Sequence, residues 1–155
     1  MAARMTDYPS GQRIDAHWLD RDLYPETVDV RPRFQDLDPL NHVNNVAMAA
    51  LFEDARVRFN HPMKDYFQTD TVRTLVGGQT LTYVNECHLR PDLIFHIGIG
   101  RVGGSSWVTQ AVAYQGETPV LLALATLVST QGGQVCPIPE GLKRMLEARR
   151  LRFPA

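Results

Sequence analysis

Asp36-Leu37-Asp38-Pro39-Leu40-Asn41-His42-Val43-Asn44-Asn45, with the run it enters, Val46-Ala47-Met48-Ala49-Ala50-Leu51-Phe52, decides how the rest of the chain is read. Two carboxylates, a histidine and the pair Asn44-Asn45 arrive just after a strand-like segment. The spacing predicts a helix over 46–59, roughly 21 Å long at the α-helical rise. Its first half carries no polar side chain, and a helix apolar on every side belongs in a core. Asn44 or Asn45 is the natural N-cap, because an asparagine oxygen accepts from the first free N–H groups. Free N–H groups and the positive end of the helix dipole favour negative charge. The polar stretch therefore sits where an anion is stabilised.

Outward from that helix the chain is mostly strand. Val28 and Val30 alternate with Asp29 and Arg31, which predicts a strand over 27–34. Pro32 cannot donate to a ladder and marks a bulge or an edge there. His61-Pro62 ends the helix, since the residue before proline leaves the helical region. Residues 62–73 form a mixed loop of the length used for lids and binding loops. Strands follow over 74–88, 93–102, 106–114 and 119–130, with Gly77-Gly78 as a bulge or a close backbone approach. The connections are too short for parallel crossovers, so the strands are antiparallel neighbours. Val120 to Val128 holds one polar residue in nine. Both faces of this strand are thus expected to be covered, by a wrapped sheet or by a second subunit. A short helix over 140–150 closes the chain, giving an α+β class.

With 155 residues the chain reads as a single domain over 1–155, with 1–12 loosely ordered. A net charge of −1 gives no reason to expect a nucleic-acid or anionic-membrane partner. No apolar run approaches the length of a membrane span, and no signal-peptide core is evident. Cys87 and Cys136 form neither a disulfide framework nor a metal pattern, so a reduced, cytoplasmic protein is expected.

The residues also carry a resemblance. Asp36-x-Asp38-Pro39, then His42-Val43-Asn44-Asn45, then Phe52-Glu53-x-Ala55-Arg56 resembles the acyl-thioester hydrolases of the hot-dog fold, 4-hydroxybenzoyl-CoA thioesterase-like and acyl-ACP thioesterase-like. The resemblance spans about residues 24–150. It implies a long antiparallel sheet wrapped around one central helix, and hydrolysis of an acyl-CoA or acyl-ACP without a metal or redox cofactor. It places the catalytic carboxylate at Asp38 and uses N–H groups near Val43 to Asn45 to hold the thioester carbonyl. The two-faced apolar strand Val120–Val128, with a sheet too large for one helix to cover, predicts a homodimer or dimer of dimers, with an apolar groove between the helix of one subunit and the facing subunit sealed by Met48, Phe52 and the 62–73 loop. The sequence departs from the pattern at three places. Asn41 stands where many relatives carry glycine, Met48 where a tyrosine is usual, and Leu40 where plant-type enzymes carry asparagine. Tyr83-Val84-Asn85-Glu86-Cys87 matches the Tyr-x-x-Glu-Cys run of those enzymes and makes Glu86 a second candidate base.

Each of these residues has a plainer role as well. Asp38 starts a turn, as Asp-Pro often does. Asp36 pairs with an arginine such as Arg33. His42 orients the loop, Asn44 and Asn45 are caps before they are substrate contacts, and Glu86 is a solvated strand residue. No further metal ligand converges on Asp36, Asp38 and His42 by sequence. The basic tail from Lys143 to Arg152 reads as a solvated face rather than a grip for coenzyme A phosphates. A hot-dog hydratase or dehydratase, and a non-catalytic acyl-CoA-binding module, are the other two readings; the order of the Asp38 and His42 motif argues against the first.

Overall fold

A computed structural model describes residues 15–66 and 72–153. The strands are β1 (Glu26–Val30), β2 (Arg73–Tyr83), β3 (Leu93–Val102), β4 (Ser106–Gln115), β5 (Thr118–Gln131) and β6 (Gln134–Val135). Two helices, α1 (Asn45–Asn60) and α2 (Glu140–Ala148), complete the regular elements, with short 3-10 turns between. The five longer strands form one antiparallel sheet in the order β1-β3-β4-β5-β2, and β6 extends β5. With α1 laid across it, this is the hot-dog arrangement.

Alternation builds the sheet's inner face. Leu93, Phe95, Ile97 and Ile99 are fully buried along β3. At the centre the register pairs Ala111 with Ala123, and the neighbouring Ala113 and Ala125 are fully buried too. Small side chains let the helix approach, and Met48, Phe52, Ala55 and Phe59 of α1 fill the space above them. The bulge falls at Gly77, where the β2–β5 register shifts. A Cβ on Gly77 would stand 2.9 Å from Val128 Cγ2, so only glycine fits the close approach. The tight β4–β5 turn places Gly116 at φ +61°, the left-handed conformation that glycine takes without penalty.

Both faces of β5 are covered, as its apolar sequence requires, though much of the cover comes from the chain itself. Leu121, Ala123 and Leu127 face α1. Leu122 packs on the other side with Trp18, Leu23, Tyr24, Val112 and Leu151. The segment before β1 and the segment after α2 thus close the outer face of the sheet.

Several expectations change. The first strand stops at Val30 rather than 34, because Pro32 has no N–H to continue the ladder and a 3-10 turn over Phe34–Asp36 follows. The strand expected over 74–88 ends at Tyr83. Beyond it, the Val120 carbonyl accepts from both Val84 N and Asn85 N, and residues 84–88 leave the sheet. The helix is buried along one side only: Val46 is 82% and Val57 56% exposed. A single sheet covers one face of a helix, and among the described residues the other face stays exposed. Asn44 is the N-cap, its side chain accepting from Ala47 N. Of the 62–73 loop, His61–Tyr66 is a 3-10 helix and 67–71 lie outside the described residues, as do 1–12. Among the described residues, no helix is long and apolar enough to cross a membrane.

Candidate active site

The site is assembled where the loop before α1 meets the segment after β2. Asp38 holds its own loop closed. Its Oδ1 accepts from Leu40 N at 2.9 Å and His42 N at 3.2 Å, while its N–H donates to the His42 carbonyl at 2.9 Å. Asn41 has φ +60°. Asparagine tolerates this left-handed conformation better than most residues. Among the described residues, the second Asp38 oxygen accepts no hydrogen bond.

Asp36 is structural. It is 5% exposed, and both its oxygens engage Arg33, one accepting from the Arg33 backbone N–H at 2.7 Å and the other from Nη2 at 3.1 Å. Burial alone would raise its pKa, but the hydrogen bonds and charge of Arg33 outweigh it and hold the carboxyl below the usual range.

The Val43 N–H donates to the Cys87 carbonyl at 2.7 Å, which ties the two segments together. The Asn44 N–H donates to the Asp36 carbonyl. Of the N–H groups expected to receive a substrate carbonyl, Val43 and Asn44 are therefore occupied. Those of Asn45 and Val46, in the first turn of α1, have no intrahelical acceptor.

On the opposite wall, Glu86 Oε2 stands 3.2 Å from His42 Nε2. Glu86 lies in the extended segment after β2, not on the strand, and is largely solvated. The His88 ring packs edge-on to His42 with centroids 5.1 Å apart. Between them Cys87 is buried, and burial pushes its thiol up to about 11. At neutral pH it is a protonated thiol, which removes it as a nucleophile.

A cavity of about 280 Å³ joins these parts, lined by Asp38, His42, Val43, Asn45, Met48, Tyr83, Glu86 and Val120 among others. Six of the eight residues expected from sequence, catalytic or substrate-contacting, thus share one wall system. Asn44 is used up as the helix cap, and Phe52 is fully buried, stacked on Phe95 with centroids 6.2 Å apart. The described part of the 62–73 loop lies elsewhere. His61 and Lys64 line a second hollow with Arg56 and Asn60, near the far end of α1. Arg149 of the basic tail is bound to Glu26 and stacks on Phe59, so it is not a free phosphate ligand.

Sequence reading missed Tyr83, whose hydroxyl donates to the Asn45 carbonyl at 3.1 Å, and His88. The signal for His88 was available. In an extended segment, residues two apart point to the same side, so Glu86 and His88 go together and Cys87 goes inward.

A family model of the thioesterase-like superfamily matches residues 32–146. The chain belongs to that superfamily. Among curated proteins none matches it. Solved structures with the same fold include a thioesterase from Thermus thermophilus, complexed with coenzyme A and Zn. It is 26% identical with a TM-score of 0.71, over 81% of this chain and 95% of that one. A protein of Pseudomonas aeruginosa is 20% identical with a TM-score of 0.76, over 86% and 97%. A 1,4-dihydroxy-2-naphthoyl-CoA thioesterase from Synechocystis is 11% identical with a TM-score of 0.69, over 77% and 93%. Membership of the superfamily makes thioester hydrolysis the reaction class of this thioesterase-like chain.

Proposed function

We propose that the chain is a cytoplasmic enzyme that hydrolyses an acyl thioester of coenzyme A or of an acyl carrier protein, with Asp38 as the reacting carboxylate. One observation carries this reading: Asp38, one of whose carboxylate oxygens accepts no hydrogen bond among the described residues, borders the same cavity as Asn45, the first residue of α1, whose N–H has no intrahelical acceptor. Attack on a thioester carbonyl builds negative charge on its oxygen, and preorganised N–H donors stabilise that charge. Asp38 either takes a proton from the attacking water or attacks directly to give an acyl anhydride that water then opens. Collapse of the tetrahedral species expels the thiol. Met48 and Val120 supply apolar wall for the acyl group. The coenzyme A held by the Thermus relative supports an acyl-CoA as the first substrate to try. A panel of acyl-CoA and acyl-carrier-protein substrates with a thiol-trapping dye tests the proposal. Thiol release is expected, and tight binding without release would mark a non-catalytic acyl-CoA-binding module instead.

Glu86 is assigned a supporting role, orienting His42 or the attacking water across the 3.2 Å contact. Glu86→Gln is expected to lower turnover about tenfold, roughly 1.4 kcal/mol of barrier. The side chain is exposed, so the melting temperature should not move. Unchanged turnover would return Glu86 to a solvated surface role.

The chain is further proposed to act as a homodimer or a dimer of dimers. The segments before β1 and after α2 cover the outer face of β5, and the uncovered apolar surface lies on α1 and the edge strand β2. Val46 and Val57 on the helix and Leu75 and Val76 on β2 are each about half exposed or more, and among the described residues β2 pairs only with β5. A second copy set against this face would cover the apolar residues and the open edge together. Sedimentation at micromolar concentration should give a mass at least twice the 17.5 kDa of one chain. A single species at 17.5 kDa would remove the claim.

A further inference from the structure

We propose that His42, Glu86 and His88 form a binding site for a single zinc-class divalent cation at the rim of the Asp38 cavity. Each offers one ligand atom, and the three atoms lie within 4.8 Å of one another. Two imidazoles and a carboxylate are a donor set suited to zinc and its borderline neighbours, and poorly suited to magnesium or calcium. Ligands about 2.1 Å from a tetrahedral ion stand roughly 3.4 Å apart. The His42 Nε2–Glu86 Oε2 separation of 3.2 Å already meets this. The remaining closure falls to Glu86 and His88, which are exposed and free to turn.

The backbone beneath the three is fixed, so little of the site has to be organised by the ion. Val43, beside His42, donates to the carbonyl of Cys87, the residue between the other two ligands. His88 is clamped by the buried Gln115 side chain, with His88 N donating to Gln115 Oε1 at 2.9 Å and Gln115 Nε2 donating to His88 O at 2.7 Å. Among the described residues the His88 ring itself makes no hydrogen bond, so its nitrogens are available to a ligand. Three protein ligands leave a fourth position for water or a second molecule, and two of the three, His42 and Glu86, also line the Asp38 cavity.

The test is calorimetric titration of the metal-stripped full chain with zinc chloride, without substrate. Its outcome is therefore independent of whether the chain hydrolyses thioesters. Saturable binding of one zinc per chain is expected, with no heat from magnesium chloride. His88→Ala and Glu86→Gln, both at exposed positions, should each weaken zinc binding by about tenfold or more, since even outer-shell losses cost that much. Cys136→Ser should bind as the parent does, which separates this site from adventitious thiol binding. Absence of saturable binding by the parent overturns the proposal, and so does unaltered zinc affinity in folded His88→Ala and Glu86→Gln.

Discussion

Asp38→Asn should slow thioester hydrolysis by a factor on the order of 10² or more, the usual yield of one positioned acid–base group. The reason the test is clean lies in the loop. Asp38 Oδ1 accepts from Leu40 N and His42 N, and an asparagine carbonyl accepts from the same two donors. The left-handed turn at Asn41 and the bridge between Leu37 and Val43 are then preserved, and α1 still presents the Asn45 and Val46 N–H groups. What disappears is the negative charge and the basic or nucleophilic oxygen. The substrate carbonyl keeps its donors, so KM should change little while turnover falls, the pattern of an interaction made only in the transition state. Steady-state kinetics of both forms on the best substrate, with thermal melts, decide the matter. A folded Asp38→Asn chain within threefold of the parent would make Asp38 a turn residue and refute the proposed chemistry.

The parts legible in the sequence are those set by local chemistry. Alternation in Leu93–Val102 marks a strand whichever strands flank it, and an asparagine ahead of an apolar helix reads as its cap. The pairing of Asp36 with Arg33 follows from three-residue proximity and is found. Parts that depend on where another segment ends were not legible. β2 stops at Tyr83, opposite Leu121, because the Val120 carbonyl takes up two N–H groups at once and Pro119 has no N–H to continue the ladder. Glu86 leaves the strand for the same reason. His88 meets His42 where the Val43–Cys87 hydrogen bond joins segments more than forty positions apart. The assignment of N–H donors changed on similar grounds. Val43 and Asn44 look free from sequence, and both are taken by carbonyls that only the fold brings near.

Phe52 separates the core from the site, and its replacement carries the largest expected loss of stability. From sequence it looks like a wall of the substrate groove. In the fold it is fully buried in α1, stacked on Phe95 and set within the cluster that holds Met48, Ala55 and Phe59. The sheet beneath it is lined by alanines at 111, 113, 123 and 125, all fully buried. None of these short side chains can extend into the space a missing ring leaves, so relaxation is limited. Phe52→Ala should therefore cost about 3–5 kcal/mol, the range for deleting a buried aromatic ring. For a chain of this size that corresponds to a fall in Tm of roughly 6–20 °C, at about 2–4 °C per kcal/mol. Urea unfolding should show a lower midpoint with an unchanged slope, the mark of a stability change without a change in surface exposed. Turnover per folded molecule, measured well below the new Tm, should stay within a few-fold of the parent, because Phe52 does not line the Asp38 cavity. A stability loss below about 1 kcal/mol together with a large rise in KM would reverse the assignment. Phe52 would then be a substrate contact, and the acyl group would run under α1 rather than along its N-terminal rim.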